Sequence, residues 1–339
     1  MKQWSPKVSI IIPAYNAGNY LRESINSAIN QSYTNNEIIV INDGSNDSGL
    51  TEKIALSYGE QIKYFSKPNG GCASALNLGI SKMTGEYFSW LSHDDLYKPN
   101  KLASQINFLR SIDNNNAILF SGYDVINENG LYLYSVKPSF ILNKIQLNTP
   151  LAPLMRGLIN GCTLLIPKNL LDQHGQFNER LLCTQDYEMW FKLFRVLPVY
   201  LSPGQEVLAR VHQGQASNSS KELALREGNT LWIGFLDELT EEEMIEIDGS
   251  VERFLLKTSE FLTISSYLEA ANYADTMRDR YIESNSGIVA DKVKFDFGRM
   301  LSIASSFGDI KLSIKWVFWL IKQYGIRETY KKILYALRK

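Results

Sequence analysis

Short apolar runs alternate with amphipathic segments over residues 8–91. The runs at 8–13 and 37–42 are rich in β-branched residues, which is typical of strands buried on both faces. The sequence predicts, in order, strand 8–13, helix 20–30, strand 37–42, helix 51–58, strand 62–66, helix 73–83 and strand 87–91. Strands that alternate with helices indicate right-handed βαβ units and a mostly parallel sheet.

The middle segment, residues 116–212, mixes strands with one helix. Its predicted elements are strands 117–120, 163–166 and 207–211 and a helix over 187–196. Farther along the chain the apolar spacing becomes helical. We expect a boundary between Ser217 and Leu225, with an α/β domain at 1–219 and a mainly α-helical domain at 220–339.

Composition excludes several classes of protein. The chain has 339 residues, 45% of them hydrophobic, enough for one large core or a main domain plus a smaller one. A formal net charge of −1 argues against a nucleic-acid partner. Three cysteines without close pairing argue against a disulfide framework or a zinc site. No signal-peptide pattern and no stretch of roughly 18 apolar residues occurs, so we expect a cytoplasmic protein.

Three polar clusters follow predicted strands, at residues 14–16, 43–45 and 92–95. Ligands bind such sheets outside the carboxyl ends of the strands. The third cluster ends in two adjacent carboxylates, Asp94 and Asp95. Adjacent carboxylates repel each other unless a cation or sugar hydroxyls neutralise them. The alternative is a solvated turn, where Asp is common.

Two further segments have a functional and a structural interpretation. Asp43 could accept the N3–H of a pyrimidine, or it could belong to an Asp-Gly turn that caps the next helix. Asn69-Gly70-Gly71 precedes a helix, so its N–H groups could face a phosphate, or the glycines could only form a turn. The chain contains no G-x-G-x-x-G or P-loop motif, which argues against dehydrogenases and P-loop enzymes.

Four segments occur in an order and spacing that resembles a known family. They are Val-Ser-Ile-Ile-Ile-Pro-Ala-Tyr-Asn (8–16), Ile-Val-Ile-Asn-Asp-Gly-Ser-Asn-Asp (39–47), Asn-Gly-Gly-Cys-Ala-Ser-Ala-Leu-Asn-Leu-Gly (69–79) and Gly-Glu-Tyr-Phe-Ser-Trp-Leu-Ser-His-Asp-Asp (85–95). The sequence resembles the family 2 glycosyltransferases over roughly residues 7–217. This resemblance implies an α/β GT-A fold, Rossmann-like with a mostly parallel central sheet and flanking helices, followed by a mainly α-helical C-terminal domain.

The resemblance also implies a binding site for a nucleoside-diphosphate sugar. It places Ala14, Tyr15 and Asn16 at the nucleoside, Asp43 at the pyrimidine, and Asn69, Gly70 and Ala73 at the ribose and diphosphate. A UDP-sugar is favoured through Asp43. The arginine that is frequent in the third motif is Leu76 here, which removes one cationic contact to the donor.

The metal motif of the family, Asp-x-Asp, corresponds to Ser92-His93-Asp94. Its first carboxylate is replaced by Ser92, a poorer ligand. The resemblance leaves Asp94 as the direct metal ligand and places Asp95 near the donor sugar or acceptor. His93 fills the variable position of the motif and is grouped with the donor-binding residues, although a structural role is equally open to it.

The segment 209–217 resembles the end of many of these catalytic domains, where the histidine, here His212, meets the metal or the diphosphate. A site made by Asp94 and His212 would suit Mn²⁺ better than Mg²⁺. Arg210 could pair with phosphate or with a neighbouring acid.

Thr184-Gln185-Asp186-Tyr187-Glu188-Met189-Trp190 resembles the acidic-pair motif of the family, with Gln185 in place of the first acid. The resemblance makes Asp186 the catalytic base, and the alternative is a helix N-cap. Glu188 is expected to be an exposed charge of the first helical turn. The segment 160–162 resembles the loop that approaches the donor sugar and acceptor.

The C-terminal region has an acidic patch at 237–248 and a basic, aromatic-rich stretch at 311–339. A basic amphipathic helix can lie on an anionic membrane, which would suit a lipid-linked acceptor. Ordinary packing on the domain and a homo-oligomer interface are the alternatives.

The sequence thus predicts an inverting enzyme that moves a hexosyl or N-acetylhexosaminyl group from a UDP-sugar to an acceptor hydroxyl in bacterial surface glycan synthesis. The acceptor would be a glycan, lipid-linked or protein-linked. An inactive nucleotide-sugar-binding module is the first alternative, because of Ser92 and Gln185. A nucleotidyltransferase is the second, but the basic, glycine-rich loop expected after the first strand is missing.

Overall fold

The structure is a computed structural model that describes residues 4–215 and 221–285. Its strands are β1 (Val8–Ala14), β2 (Asn36–Asp43), β3 (Lys63–Lys67), β4 (Tyr87–Trp90), β5 (Leu96–Tyr97), β6 (Ile118–Ile126), β7 (Tyr132–Val136), β8 (Ile166–Pro167) and β9 (Val199–Arg210). Its helices in the first two thirds of the chain are α1 (Leu21–Ile29), α2 (Leu50–Leu56), α3 (Gly71–Lys82), α4 (Lys101–Ser111), α5 (Pro138–Ile141), α6 (Lys144–Leu147), α7 (Lys168–His174) and α8 (Gln185–Phe194). They are followed by α9 (Lys221–Glu238), α10 (Glu241–Asp248), α11 (Val251–Ile264) and α12 (Leu268–Ser284).

The first sheet has the strand order β3-β2-β1-β4-β8, in which the first four strands are parallel and β8 is antiparallel. Every residue of β1 is buried, as its continuous apolar run predicts. Helices α1, α2 and α3 connect the parallel strands, so the predicted alternation is confirmed. The parallel arrangement brings the carboxyl ends of β1, β2 and β4 to one edge.

The second sheet has the order β5-β9-β6-β7. The predicted strand at 163–166 is wrong in its bounds, because a 3₁₀ turn occupies Gly161–Thr163 and β8 begins at Ile166. The two-residue strand β5 pairs with β9, with Leu96 opposite Leu208. This pairing places the loop after β4 beside the end of β9.

The chain divides into two compact units between Glu227 and Gly228, within α9. The boundary expected between Ser217 and Leu225 lies partly in residues 216–220, which are outside the described residues, and partly in the first turns of α9. In the second unit Gly228 lies against Tyr267, where an added Cβ would come within 2.1 Å of the ring. The buried core of this unit includes Trp232 and Phe254.

The acidic patch forms the end of α9 and all of α10, which begins with a capping box of Thr240 and Glu243. Asp248 pairs with Lys257 of α11. The basic stretch 311–339 lies outside the described residues. None of the helices within the described ranges is long and apolar enough to cross a membrane.

Candidate active site

The loops that follow β1 and β2 are joined by Asn16. Its backbone N–H donates to Ser45 Oγ at 2.9 Å, and its side-chain oxygen accepts from the Asn46 N–H at 2.8 Å. Asn16 has a φ of 49°, a conformation that asparagine tolerates better than most residues. Ala14 is buried, whereas Tyr15 and Asn16 are exposed. The structure therefore brings the first and second predicted motifs together at the sheet edge, with two of their side chains accessible.

Asp43 connects the end of β2 to the start of α3. One carboxylate oxygen accepts from Lys67 Nζ at 2.6 Å and from the Gly70 N–H at 3.0 Å, and the other accepts from the Gly71 N–H at 2.8 Å. These N–H groups are therefore engaged by Asp43 and do not face an open phosphate site as expected. Asn69 is exposed beside them and Ala73 is buried. A pyrimidine could reach the Asp43 carboxylate only by sharing or displacing these partners.

Lys67 was missed by the sequence reasoning. It is the last residue of β3, and this carboxyl-end position was the available signal. Leu76, which occupies the position of the family's arginine, is completely buried. The positive charge beside Asp43 therefore comes from a strand end and not from α3.

Asp95 uses both of its carboxylate oxygens in contacts within the protein. It is 7% exposed, and its two oxygens accept from the Arg210 N–H at 2.8 Å and from the Cys162 thiol at 3.3 Å. Burial, followed by the charge of Asp94, raises the pKa of Asp95 to about 7. Asp95 therefore connects its loop to the end of β9 and to the turn that contains Cys162.

Asp94 meets His212 across 118 residues of sequence, with Asp94 Oδ2 at 3.0 Å from His212 Nε2. The pairing of β5 with β9 explains this approach, because it aligns the two loops. The ring of Tyr20 packs on His212 with centroids 4.9 Å apart. His93 turns the other way, with Nδ1 at 3.3 Å from the Pro13 carbonyl oxygen, and burial lowers its pKa. The charges of Asp94 and His212 also act on the pKa of His93, so His93 lies within electrostatic reach of that pair while its own hydrogen bond goes to the end of β1.

Arg210 pairs with an acid, which is one of the two sequence-based alternatives. Its guanidinium donates to Glu23 Oε2 at 2.7 Å, to the Asp94 carbonyl at 2.9 Å and to the Glu128 carbonyl at 3.0 Å. It also lies over the ring of Tyr20, 4.4 Å from the centroid. Arg210 is buried and holds the backbone of Asp94 in place.

Asp94 and His212 are the two side chains that could hold a metal ion. Ser92 is engaged elsewhere, since its Oγ lies 3.4 Å from the Cys162 sulfur and can donate to it while the thiol donates to Asp95. Over residues 4–215 and 221–285, no group of three or more His, Cys, Asp or Glu side chains is arranged to hold an ion. One oxygen and one nitrogen donor fit a divalent ion whose remaining ligands come from a bound diphosphate or water.

Asp186 is the second residue of α8, and Thr184 is the N-cap. The N-cap interpretation of Asp186 is therefore wrong. Its carboxylate accepts from the Tyr187 N–H at 2.8 Å. Burial raises the pKa of Asp186 to about 6.

The thiol of Cys72, at the start of α3, lies among the predicted site carboxylates. Its pKa is raised to about 12 by burial, and then by the charges of Asp186, Asp43 and Asp94. All three carboxylates therefore lie within electrostatic reach of one side chain. The side chain of Gln185 acts in the opposite direction and lowers the pKa of this thiol.

Two other predicted segments join this region in different ways. Glu188 is not exposed as expected: its side chain is 16% exposed and pairs with Lys192. Asn160 accepts from the Cys162 N–H at 2.8 Å and so shapes the turn that brings Cys162 to Ser92. An added Cβ on Gly161 would lie 2.5 Å from the Trp90 ring, so this turn requires glycine.

Comparison with known proteins defines the class. The family model of Glycosyl transferase family 2 matches residues 9–168. An uncharacterized glycosyltransferase of Rickettsia typhi is 45% identical over 341 residues, covering 100% of this chain and 99% of that protein. The chain belongs to glycosyltransferase family 2, as the motifs predict.

Other relatives are longer than this chain. An uncharacterized glycosyltransferase of Rickettsia bellii is 52% identical over 274 residues, which is 80% of this chain and 39% of that protein. The matches to relatives from Rickettsia conorii and Rickettsia felis cover 45% and 46% of the length of those proteins, respectively. The chain thus spans less than half the length of these three relatives.

The fold is shared with Staphylococcus aureus TarS. The structure of its residues 1–349 in complex with UDP has a TM-score of 0.51 and 19% identity, covering 86% of this chain and 94% of that one. A complex of the same fragment with UDP-GlcNAc matches with a TM-score of 0.51 and 18% identity, over 82% of this chain and 92% of that one. The predicted GT-A fold with a helical C-terminal region is confirmed.

Proposed function

We propose that this chain transfers a sugar from a UDP-sugar to an acceptor hydroxyl, with inversion at the anomeric carbon. The observation that carries the proposal is the approach of Asp94 to His212 at 3.0 Å, at the carboxyl edge of the parallel sheet. Asp186 supports it, because its charge acts on the same Cys72 thiol as that of Asp94. The UDP and UDP-GlcNAc complexes of TarS, which shares the fold, support this donor class.

The donor would lie across the ends of β1, β2 and β4. Tyr15 and Asn16 are accessible to the nucleoside, and Asp43 with Lys67 offers a carboxylate and a cation at the neighbouring strand ends. A nucleoside diphosphate needs charge neutralisation as it leaves, and not a general acid, because it departs as a stable anion.

Asp94 and His212 would hold a divalent ion, and Mn²⁺ suits this oxygen and nitrogen donor set better than Mg²⁺. Such an ion, when bound, neutralises charge on the leaving diphosphate. Arg210 fixes the backbone of Asp94, and Tyr20 packs on the ring of His212, so both donors are held before a ligand arrives.

Asp186 would take the proton of the acceptor hydroxyl as it attacks the face of the sugar opposite the diphosphate. A pKa raised by burial to about 6 leaves this carboxylate ionised near pH 7 yet more basic than an exposed aspartate. The transferred group would be a hexosyl or N-acetylhexosaminyl unit. The acceptor would be a glycan, lipid-linked or protein-linked, in bacterial surface glycan synthesis at the cytoplasmic face of the membrane.

A nucleotide-sugar-binding module without turnover is the second candidate. It is favoured by Ser92, whose hydroxyl replaces a carboxylate and is engaged by Cys162. A binding module would bind UDP and UDP-sugars but would not cleave a UDP-sugar to release UDP. Turnover therefore distinguishes the two functions.

Thermal unfolding with UDP, dTDP, GDP or CMP, each with Mn²⁺, Mg²⁺ or EDTA, tests the site. A ligand at 100 times its Kd stabilises the native state by about 2.7 kcal/mol. We expect a shift with UDP and Mn²⁺ that EDTA and His212→Ala abolish, whereas His174→Ala, an exposed histidine of α7, leaves it intact. The absence of a shift with every nucleotide would contradict the proposal.

A further inference from the structure

The loop before α8 is held by one carboxylate from a distant part of the chain. Glu227, in α9, accepts from the Leu182 N–H at 3.1 Å, the Cys183 N–H at 2.9 Å and the Thr184 hydroxyl at 3.3 Å. These three donors belong to consecutive residues, so Glu227 fixes the path of the loop. The contact lies outside residues 9–168, the part that the family model matches.

This loop determines where α8 begins. Thr184 is the N-cap residue, and its side chain forms no capping hydrogen bond. Its hydroxyl points instead to Glu227. A carboxylate beside a helix N-terminus is also favoured by the helix dipole. Asp186 follows within the first turn, so its position depends on a loop that Glu227 holds.

Two contacts connect the same loop to α3. A Cβ built on Gly71 would lie 3.6 Å from Leu182 Cδ2, so Leu182 packs beside the start of α3. The side chain of Gln185 lies close enough to Cys72 to act on the pKa of its thiol. The Gly71 N–H is also a donor to Asp43. The loop and the start of α3 therefore lie beside each other.

The electrostatics of Cys183 agree with this arrangement. Burial raises the pKa of its thiol, and the charges of Glu227 and Asp186 raise it further. Both carboxylates thus act on one side chain, although neither is bonded to the other.

We propose that Glu227 is a positioning residue that sets the place of Asp186 against the start of α3. The inference rests on the proposed function, because Glu227 would position the residue proposed as the base. A carboxylate can accept from both backbone N–H groups and the hydroxyl at once, whereas a glutamine side chain has one oxygen acceptor and two competing donors. Glu227→Gln would therefore loosen the loop while preserving the size of the side chain.

The test compares Glu227→Gln with Glu222→Gln, an exposed glutamate on the same helix. UDP release is measured with Mn²⁺ and whichever of UDP-GlcNAc and UDP-glucose the wild type turns over faster. A displacement of about 1 Å can cost on the order of 100-fold in rate. We expect kcat to fall about 10- to 100-fold in Glu227→Gln, while the Kd for UDP with Mn²⁺ and all constants of Glu222→Gln stay within about twofold.

A cycle with Asp186→Asn separates positioning from general stability. If Glu227 acts through Asp186, Glu227→Gln changes the rate of Asp186→Asn less than about twofold. An equal loss in both backgrounds, or a kcat loss that equals the loss of folded protein, would overturn the inference. Glu227→Asp keeps the charge with a shorter side chain, so it should recover part of kcat even if Glu227→Gln folds poorly.

The two proposals fail in different ways. A slow Asp186→Asn combined with a wild-type kcat in Glu227→Gln overturns the role of Glu227 alone. A fully active Asp186→Asn removes the proposed base, and with it both the mechanism and the positioning role.

Discussion

Asp94 and Asp95 are adjacent in sequence but have opposite surroundings. Asp94 meets His212, whereas both oxygens of Asp95 are bonded to the protein, at the Arg210 N–H and the Cys162 thiol. Two adjacent carboxylates that faced the same solvent would repel each other. The structure separates them by turning one inward, so a single member of the pair is directed to His212.

The pH dependence of turnover depends on Asp186. Burial raises its pKa to about 6, and only the carboxylate can accept a proton. We expect kcat to be nearly constant above this value and to fall up to about tenfold per pH unit below it. Initial rates of UDP release from pH 4.5 to 8 measure this, with the Kd for UDP as the control. A kcat independent of pH between 5 and 7 would contradict the role of Asp186.

Arg210 is predicted to act through geometry and not through charge alone. Arg210→Lys keeps the positive charge but loses the planar fork that reaches Glu23 and two carbonyl oxygens. Losing one or two such hydrogen bonds should lower the free energy of unfolding by about 1–3 kcal/mol and weaken binding of UDP with Mn²⁺ about tenfold. Urea unfolding and calorimetric titration measure the two effects, with the exposed Arg180→Lys as the control. Unchanged UDP affinity in Arg210→Lys would remove Arg210 from the site.

At the scale of elements, the opposite edge of the first sheet depends on Glu37 of β2. It accepts from Lys63 at 2.7 Å, from the Thr84 N–H at 2.6 Å and from Ser9 Oγ at 2.5 Å. Burial opposes ionisation of Glu37, but the hydrogen bonds from Lys63, Ser9 and Thr84 outweigh it and hold the pKa well below its usual range. This carboxylate connects β1, β2 and β3 with the turn before β4.

Glu37→Gln is expected to destabilise the fold without changing the residues of the candidate active site. The carboxylate of Glu37 is buried but its lysine partners are partly exposed, so the loss of its charge-assisted hydrogen bonds should cost about 1–3 kcal/mol in the free energy of unfolding at pH 7. A depressed pKa stabilises the fold above the unfolded value of 4.5, and this contribution is lost as pH falls below it. Urea unfolding at pH 7 and pH 4 should show a smaller difference between wild type and Glu37→Gln at pH 4. A destabilisation by Glu37→Gln that is as large at pH 4 as at pH 7 would contradict this prediction. An equal destabilisation by the exposed Glu60→Gln would also contradict it.

The sequence predicted the elements whose pattern is local. The local spacing of apolar residues is enough to predict strands β1, β2 and β4 and helix α3. Their predicted bounds were right to within two residues. Strand β5 has two residues and no period of its own, yet its pairing with β9 brings Asp94 to His212. Register between distant strands depends on packing that no short window contains.

The same reason limits what the sequence could predict about the candidate site. Family motifs pointed to Asp94, His212 and Asp186, while the inward turn of Asp95 and the capping of α3 by Asp43 depend on contacts across the fold. Glu227 gave no local signal, because an acidic residue on an amphipathic helix is usually solvated.

At the scale of the whole molecule, the chain divides within α9, and the described residues of the second unit are helical. Three longer relatives extend well beyond the region shared with this chain. We propose that the C-terminal region contributes contacts to a membrane or to a second copy of the chain. The basic stretch 311–339 would be tested by liposome flotation of the chain with and without these residues. Flotation that persists without them would contradict a membrane role for this stretch.

The most direct test of the account is the rate of UDP release from UDP-sugars by wild type and Asp186→Asn, with Mn²⁺ or EDTA. We expect turnover that needs Mn²⁺ and that falls about 10²–10⁴-fold in Asp186→Asn, while UDP binds both proteins equally. A variant as fast as wild type, or turnover unaffected by EDTA, would contradict the proposed base or the proposed metal site.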